Sequence, residues 1–242
     1  MNIHSTNTIG ELAVAIPGAT RVFEALGIDY CCGGNRKLNE VCSNSNLVVE
    51  NVIRSLAQAE ATTVKNPQTQ DWQKTTLTAL FTYIVDYHHA FTRKELERLE
   101  ALIHKVCSVH GQNHTELWKL QTLFQTIKED LLPHMLKEEQ VLFPYIEKLE
   151  KAILHGGPVP TPFFKTVKNP VHMMMLEHDT VGEILSQLRS LTNNYIVPPE
   201  GCISYKTLYQ ALQDFEYDLH QHIHLENNLL FPRAIELEGK LK

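Results

Sequence analysis

Two related stretches decide the fold: residues 134–144, HMLKEEQVLFP, and residues 222–232, HIHLENNLLFP, which begin 88 positions apart. Each places a histidine four residues before a glutamate and ends in Phe-Pro, a dipeptide found nowhere else in the chain. Self-similarity at a fixed spacing indicates that one structural unit occurs twice. We therefore predict two helix pairs related by a pseudo-two-fold axis.

The composition indicates a globular chain of one large domain or two small ones. Its 242 residues are 43% hydrophobic and 21% charged, which excludes disordered and fibrous proteins. Glycine is scarce, at 11 residues, which favours helices. Histidine is abundant, at 13 residues, which points to metal binding or proton chemistry. The net charge of −6 argues against a general nucleic-acid binder.

The chain shows no targeting or membrane-spanning pattern. Its first basic residue is Arg21, so no charged region opens a signal peptide. No apolar run approaches the roughly 18 residues that a membrane span needs. Five cysteines, an odd number, indicate free thiols in a reducing compartment. We expect a cytoplasmic protein that contacts neither membranes nor nucleic acid.

Helical periodicity extends outward from the repeat over most of the chain. No useful length of sequence shows the period of two that strands require. The connections between the long helical patterns are short enough for antiparallel neighbours. We predict an all-α, up-down-up-down four-helix bundle, with helices over residues 72–109, 115–153, 171–194 and 204–237.

A small helical module precedes the bundle. Pro17 and Gly27 bracket a predicted helix over Ala19–Leu26, and another is predicted over residues 47–61. The next stretch, TTVKNPQTQ, is polar and contains Pro67, as linkers often do. The predicted division is an amino-terminal module at residues 1–61, a linker at 62–71 and the bundle at 72–242.

Helical phase selects six polar residues that point into the bundle. Core positions recur at alternating steps of three and four residues, and in each repeat a histidine and a glutamate interrupt this apolar seam. Burying them without a partner is costly, so they require a shared partner. The first and third helices each add one histidine in phase with their apolar residues. The predicted inward set is His88, His134, Glu138, His178, His222 and Glu226.

The remaining histidines fall on polar faces, near helix ends or in the terminus. His89 lies about 100° around the helix from His88, so the apolar seam selects His88. His220 and His224 lie on the polar side of the fourth helix. We interpret these histidines as solvated surface residues.

Four imidazoles and two carboxylates are more donors than one ion takes in a bundle core. Two ions with two histidines each and two bridging glutamates use every donor. A shared oxo or hydroxo oxygen then leaves one open position on each six-coordinate ion. The ligands suit iron, manganese and zinc; zinc tends to four-coordinate sites, so we favour iron. Asp130 and Glu177 are candidates to orient the imidazoles, with surface charges as the alternative.

Cys31 and Cys32 are adjacent and are followed by two glycines. Vicinal thiols bind metal, exchange disulfides or react with nitric oxide; the alternative is a structural tight turn. Zinc-ligand spacing is absent, because the next cysteine, Cys42, is ten residues further on. Cys42, Cys107 and Cys202 are interpreted as ordinary buried or loop cysteines.

Together these motifs resemble the bacterial iron–sulfur cluster repair di-iron proteins (the RIC, or ScdA/YtfE, family), whose bundle is hemerythrin-like. The matching pieces span about residue 10 to residue 234: IPGAT, DYCCGG, Tyr87-His88, HMLKEEQVLFP, LEHDTVGE and HIHLENNLLFPRA. The resemblance implies a non-haem di-iron centre with two Fe ions, bridged by oxo and two carboxylates and held by the same six residues. It also implies a functional thiol pair at Cys31 and Cys32. After His88 the chain reads His89-Ala90-Phe91, a locally variable stretch, and the apolar seam favours His88 as the ligand.

The resemblance implies a cytoplasmic protein that repairs iron–sulfur clusters damaged by oxidative and nitrosative stress, by supplying iron from a labile centre. The partners implied are damaged or apo iron–sulfur proteins, the small ligands NO and O2, and a second copy in a homodimer. We expect no enzymatic activity. Two alternatives stay open: reduction of NO at the two metals, and a hemerythrin-like carrier or sensor of NO or O2. A carrier needs only the bundle, so the amino-terminal module argues against it.

Overall fold

The computed structural model describes residues 3–63, 71–159 and 161–241. Within these ranges the regular elements are all helical, and a single β-bridge pairs Thr8 with Lys37. The all-α prediction is therefore confirmed. Most of the predicted linker, residues 64–70, lies outside the described residues. The division at 1–61, 62–71 and 72–242 stays a prediction.

Eight helices follow one another along the described residues, and three of the long ones contain a π-helical turn. The amino-terminal module holds α1 (Ile9–Ala15), α2 (Ala19–Leu26), α3 (Leu38–Asn44) and α4 (Val49–Thr63). The bundle holds α5 (Leu77–Tyr83, the π turn Ile84–His89 and Ala90–His110), α6 (Glu116–Lys137, the π turn Glu138–Leu142 and Phe143–His155), α7 (Lys168–Leu191) and α8 (Ile203–Leu225, the π turn Glu226–Leu230 and Phe231–Lys240). Among the described residues, no helix combines the length and apolar character of a membrane span.

The four long helices form the predicted up-down-up-down bundle. α5 packs against both α6 and α8, and α6 packs against α7. α5 begins at Leu77, later than residue 72, because the side chains of Thr76 and Glu150 accept hydrogen bonds from its first backbone N–H groups. α7 ends at Leu191, before three residues, 193–195, with left-handed φ angles of 50° to 60°.

The repeat explains two of the three π-helical turns. The N–H of Phe143 donates to the carbonyl of Glu138, five residues earlier, and Phe231 donates to Glu226 in the same way. A proline follows each phenylalanine. Because its ring lacks an N–H and crowds the carbonyl four residues earlier, a wider turn accommodates it. The extra residue in each wide turn rotates the phase of the positions that follow.

The amino-terminal module has an apolar core that closes onto the bundle. Phe23 of α2 and Leu38 of α3 are buried in this core together with Ile223 of α8. The predicted boundaries of α2 are confirmed, and Gly27 ends the helix with a φ of 65°. The seven-residue helices α1 and α3 are too short for periodicity to reveal.

Polar contacts fix the turn at residues 30–31 to the middle of α8. Asn227 donates to the carbonyl of Cys31 (Nδ2–O 3.2 Å), and Asn228 donates to the carbonyl of Tyr30 (2.9 Å). Gln221 donates to the Tyr30 hydroxyl. The module is therefore held against the part of α8 that carries the repeat.

His224 lies in this interface, and its predicted position on a solvated face is wrong. The imidazole is buried, its Nδ1 accepts a hydrogen bond from Asn228 (3.0 Å), and Tyr30 packs against it edge-on. Burial lowers the pKa of His224 to about 4. The helical phase of α8 misassigned it because the amino-terminal module covers that face.

We predict that His224→Gln makes the metal-free protein less sensitive to acid. Because the pKa of His224 is lowered in the fold, the unfolded chain binds the proton first once the pH falls below about 6.5. The stability that His224 contributes is present above that pH and is lost as the pH falls toward about 4. Urea unfolding at about pH 7.5 and about pH 5 should show a drop about 2 kcal/mol smaller in the variant. Equal drops in both proteins would contradict this assignment.

Candidate metal centre

Four imidazoles and two carboxylates converge in the middle of the bundle, all of them buried. Three of these six residues, His89, Glu138 and Glu226, lie at the ends of the π-helical turns of α5, α6 and α8, so the wide turns position them. The members of the cluster are His89, His134, Glu138, His178, His222 and Glu226.

The imidazoles form two pairs. In the first pair, Nε2 of His89 lies 3.2 Å from Nε2 of His222. In the second pair, Nε2 of His134 lies 3.0 Å from Nε2 of His178. Two nitrogens that bind one ion at about 2.1 Å and at right angles are themselves about 3.0 Å apart. Each pair therefore has the spacing of two neighbouring ligands of one ion.

Each carboxylate contacts both pairs. Glu138 has one oxygen 3.4 Å from a nitrogen of the first pair and the other 3.4 Å from a nitrogen of the second. Glu226 spans the two pairs in the same way, at 3.2 Å on each side. This is the placement of two carboxylates that bridge two adjacent cation sites.

The charge state of the cluster fits a metal centre. Among the described residues, all four oxygens of Glu138 and Glu226 are buried without a hydrogen-bond partner. Burial raises the pKa of both carboxyls, but the neighbouring imidazoles outweigh it and hold both pKa values below the ordinary range. Buried, ionised carboxylates without donors require nearby cations. Burial lowers the pKa of His222, whereas the neighbouring carboxylates outweigh burial and raise the pKa of His89 and that of His134, the latter to about 10. Without metal, protonated imidazoles therefore supply the positive charge that bound ions would supply, and metal binding would displace those protons.

The donor set indicates which ions fit. Each cation site has two imidazole nitrogens and one oxygen from each glutamate, and the described residues place no cysteine in it. Such mixed nitrogen and oxygen ligands suit iron, manganese or zinc. The carboxylates that span both sites favour ions that share bridging groups over the isolated four-coordinate sites usual for zinc.

Outer hydrogen bonds orient three of the four imidazoles. Nδ1 of His89 contacts Glu139 (2.7 Å), and Nδ1 of His178 contacts Asn227 (2.9 Å). Both partners directly follow a glutamate of the cluster in the repeat. The sequence therefore carried a signal for them: the same position in each copy orients the histidine of the preceding helix.

Of the two predicted orienting candidates, the structure brings one to the site. Glu177 contacts Nδ1 of His134 (2.7 Å) and pairs with Lys137 at its outer side. Asp130 is exposed and has no contact with an imidazole of the cluster among those described. Nδ1 of His222 is buried and has no hydrogen-bond partner among the described residues.

The structure corrects the choice between the adjacent histidines of α5: His89, not His88, enters the cluster. His89 is fully buried, so its predicted polar-face position is wrong. The π turn Ile84–His89 rotates the helix, and counting at 3.6 residues per turn therefore selects the wrong neighbour. His88 is also buried, but its Nδ1 contacts Asp218 (3.1 Å) and its ring stacks on His222, with centroids 5.7 Å apart.

The Cys31–Cys32 pair lies beside the centre. The two Sγ atoms are 3.8 Å apart, and Asp29 organises the turn by accepting hydrogen bonds from the backbone N–H groups of both cysteines. The hydrogen bond to Cys32, burial and the Asp29 charge raise the pKa of the Cys31 thiol well above its ordinary value. Sγ of Cys32 lies 3.5 Å from the carbonyl oxygen of His178.

Comparisons with known proteins match both parts of the chain. Residues 80–234 match the family model described as the hemerythrin HHE cation-binding domain. Residues 5–60 match the ScdA_N model, described as a domain of unknown function (DUF542). The bundle and its buried cluster therefore define a hemerythrin-type cation-binding protein with an added amino-terminal module.

Curated relatives match nearly the whole chain. The proteins named iron-sulfur cluster repair protein YtfE from Yersinia pestis (strain Pestoides F) and from Yersinia pseudotuberculosis serotype IB (strain PB1/+) are each 37% identical over 236 residues. The match covers 97% of this chain and 99% of each relative. The chain belongs to the YtfE family of iron–sulfur cluster repair proteins.

The position of His89 in the cluster, in place of the predicted His88, can be tested with a matched pair of variants. We predict that His89→Gln lowers the bound iron well below that of the unmodified protein, because one cation site loses a nitrogen donor. His88→Gln should keep the full amount, because a glutamine still bonds to Asp218 and no donor of the cluster is lost. Iron content per chain and the near-ultraviolet charge-transfer bands measure both effects. The reverse ranking would return the ligand role to His88.

A second prediction concerns the bridging carboxylates. Glu226→Leu should remove the bound iron and its charge-transfer bands, because both cation sites lose an oxygen at once. Leucine fills a similar volume and leaves no buried charge, so helical content by circular dichroism should persist. If the purified variant still holds two irons per chain, Glu226 is not a ligand.

Proposed function

We propose that this protein holds two iron ions between the two histidine pairs and supplies iron to damaged iron–sulfur proteins. One observation carries the proposal: two buried carboxylates, each without a hydrogen-bond donor, span two histidine pairs. The relatives are named iron-sulfur cluster repair protein, which supports the proposal that damaged iron–sulfur proteins receive the iron.

The protein residues supply only part of two coordination shells. Four imidazole nitrogens and four carboxylate oxygens would fill eight of about twelve positions for two octahedral ions. An oxo or hydroxo group, which the family resemblance implies, would complete the centre, and iron held there would bind NO or O2. The residues that we propose as ligands are His89, His134, Glu138, His178, His222 and Glu226.

The two cation sites differ in how firmly their ligands are held. Both imidazoles of the second pair are oriented, by Glu177 and Asn227. In the first pair His222 has no partner at Nδ1 among the described residues. Loss of such an outer hydrogen bond typically costs 10- to 100-fold in metal affinity. We therefore propose that the first pair forms the weaker of the two sites, the one from which iron would be released to another protein.

We propose that the protein is an iron donor rather than an enzyme. Within the described residues its five cysteines are free, which suits the reducing cytoplasm that we propose as its location. Its proposed partners are damaged or apo iron–sulfur proteins, with NO and O2 as small ligands. A homodimer stays a prediction from the resemblance. Reduction of NO is the enzymatic alternative, and it requires sustained NO consumption with a chemical reductant.

The direct test uses an iron–sulfur dehydratase inactivated by NO. Addition of the iron-loaded protein should restore most of the dehydratase activity, and Glu226→Leu should restore none. The same amount of free ferrous iron is the control, and it should restore less because free iron is not directed to the damaged protein.

Two results would overturn the proposal. One is no recovery with the iron-loaded protein. The other is equal recovery with Glu226→Leu, because that variant should carry no iron. An NO electrode measurement with a chemical reductant runs in parallel. Many turnovers of NO per chain without dehydratase recovery would establish the enzymatic alternative.

A further inference from the structure

The Cys31–Cys32 turn contacts one histidine of the cluster at two places. Asn227 donates to the carbonyl of Cys31 (3.2 Å), and its Oδ1 lies 2.9 Å from Nδ1 of His178. The second contact joins Sγ of Cys32 to the backbone carbonyl of the same histidine (3.5 Å). Both the ring and the backbone of His178 are therefore tied to the thiol turn.

The Asn227 amide determines the state of the His178 ring. Because its nitrogen donates to the Cys31 carbonyl, its oxygen faces Nδ1 and accepts the ring proton. The proton then stays on Nδ1, and Nε2 keeps the lone pair that a metal needs. The side chain is buried between the two groups that it joins. A shift of the Cys31 carbonyl therefore acts on the orientation of the imidazole.

No other imidazole of the cluster has this link among the described residues. The outer partners of His89 and His134 are Glu139 and Glu177, which belong to the bundle itself. His222 has no outer partner. The module therefore reaches the centre through a single ligand position, in the more firmly held pair.

Space around the thiols fixes the direction in which the turn moves when a group binds across them. Both cysteines line a cavity of about 630 Å³ whose other wall is α7, with Gly182 among its lining residues. The turn and α7 are close at this point, because a Cβ placed on Gly182 would lie only 3.3 Å from Sγ of Cys32. A group that bridges the two sulfurs enters between the turn and α7, so we expect it to displace the turn from α7 and to draw the Cys31 carbonyl from Asn227.

We propose that the Cys31–Cys32 pair controls how tightly His178 holds its metal ion, and that Asn227 is the positioning residue through which it acts. The ligand class is a thiophilic species that binds two neighbouring thiols. This regulation rests on the proposed function, because it assumes that His178 is a ligand. When the pair is occupied, the imidazole loses its orienting bond and the iron leaves faster.

Phenylarsine oxide is the probe, because its arsenic condenses with two thiols and releases one water without any redox change. The full-length, iron-loaded protein is treated with one equivalent, and iron transfer to a chromogenic ferrous chelator is timed. We expect release about tenfold faster than without the arsenical, the scale of a lost outer hydrogen bond. Mass spectrometry confirms that the adduct is on Cys31 and Cys32.

The neighbouring residues Asn227 and Asn228 provide a matched pair of variants. For each variant we compare the ratio of two iron-release rates, the rate with the arsenical divided by the rate without it. Asn227→Asp keeps an acceptor for Nδ1 of His178 but loses the donor to Cys31, so its ratio should fall to about one. Asn228→Ala also loses a hydrogen bond to the turn, the one to the Tyr30 carbonyl. The other hydrogen-bond partner of Asn228 is His224, which is not part of the cluster. The ratio for Asn228→Ala should stay near that of the unmodified protein. Cys31→Ala/Cys32→Ala should give a ratio of about one.

Coupling between two sites is reciprocal, so iron must also affect the thiols. Phenylarsine oxide should bind the iron-free protein more tightly than the iron-loaded protein, and Asn227→Asp should remove the difference. An unchanged release rate despite a confirmed adduct, or full acceleration in Asn227→Asp, overturns the proposal. The readout is transfer to a chelator, so failure of cluster repair leaves this test intact, and its failure leaves the repair proposal standing.

Discussion

Two carboxylates buried without hydrogen-bond donors are the constraint on which the rest of the structure depends. Glu138 and Glu226 are fully buried in the centre of a bundle whose neighbouring layers are apolar. Removing an ionised carboxylate from water is very costly unless positive charge or strong donors replace the water. The histidine pairs offset part of this cost, and the metal ions that we propose between them would offset the rest. The core is therefore built around a polar layer that the proposed metal centre would satisfy.

The wide turns reconcile that polar layer with ordinary helix packing. One apolar cluster lies on one side of the layer, with Phe124 and Phe215, and another lies on the other side, with Phe143 and Phe231. A regular helix keeps one phase along its length, whereas an inserted π turn changes the phase where it occurs. In α6 and α8 the change comes between the histidine of the repeat and its Phe-Pro. Each helix thus buries different faces above and below the metals.

Sequence predicted the parts of the site that regular helices place, and failed where the helix is irregular. His134, His178 and His222 lie in α-helical segments, and Glu138 and Glu226 begin a π turn, so their phase follows from the apolar seam. His89 ends a π turn that no proline marks, so the count of 3.6 residues per turn chose His88 instead. Asn227 and Glu139 were missed for a different reason. Each forms a hydrogen bond to a histidine of a neighbouring helix, and such a contact does not alter the hydrophobic periodicity of the helix that carries it. The burial of His224 was also missed, because helical phase does not show which face of a helix a separate module covers.

The amino-terminal module and the bundle share one stretch of α8, which makes them energetically dependent on each other. Ile223 belongs to the core of the module, while His222 beside it and Glu226 three residues on belong to the metal layer. Undocking the module would expose Ile223 and break the hydrogen bond from Asn227 to the Cys31 carbonyl, a loss of burial and of hydrogen bonding together. Because adjacent residues of one helix serve both units, the docked module and the ordered ligand set stabilise each other. A polar stretch in the sequence separates the two units along the chain, but the packing joins them at the site.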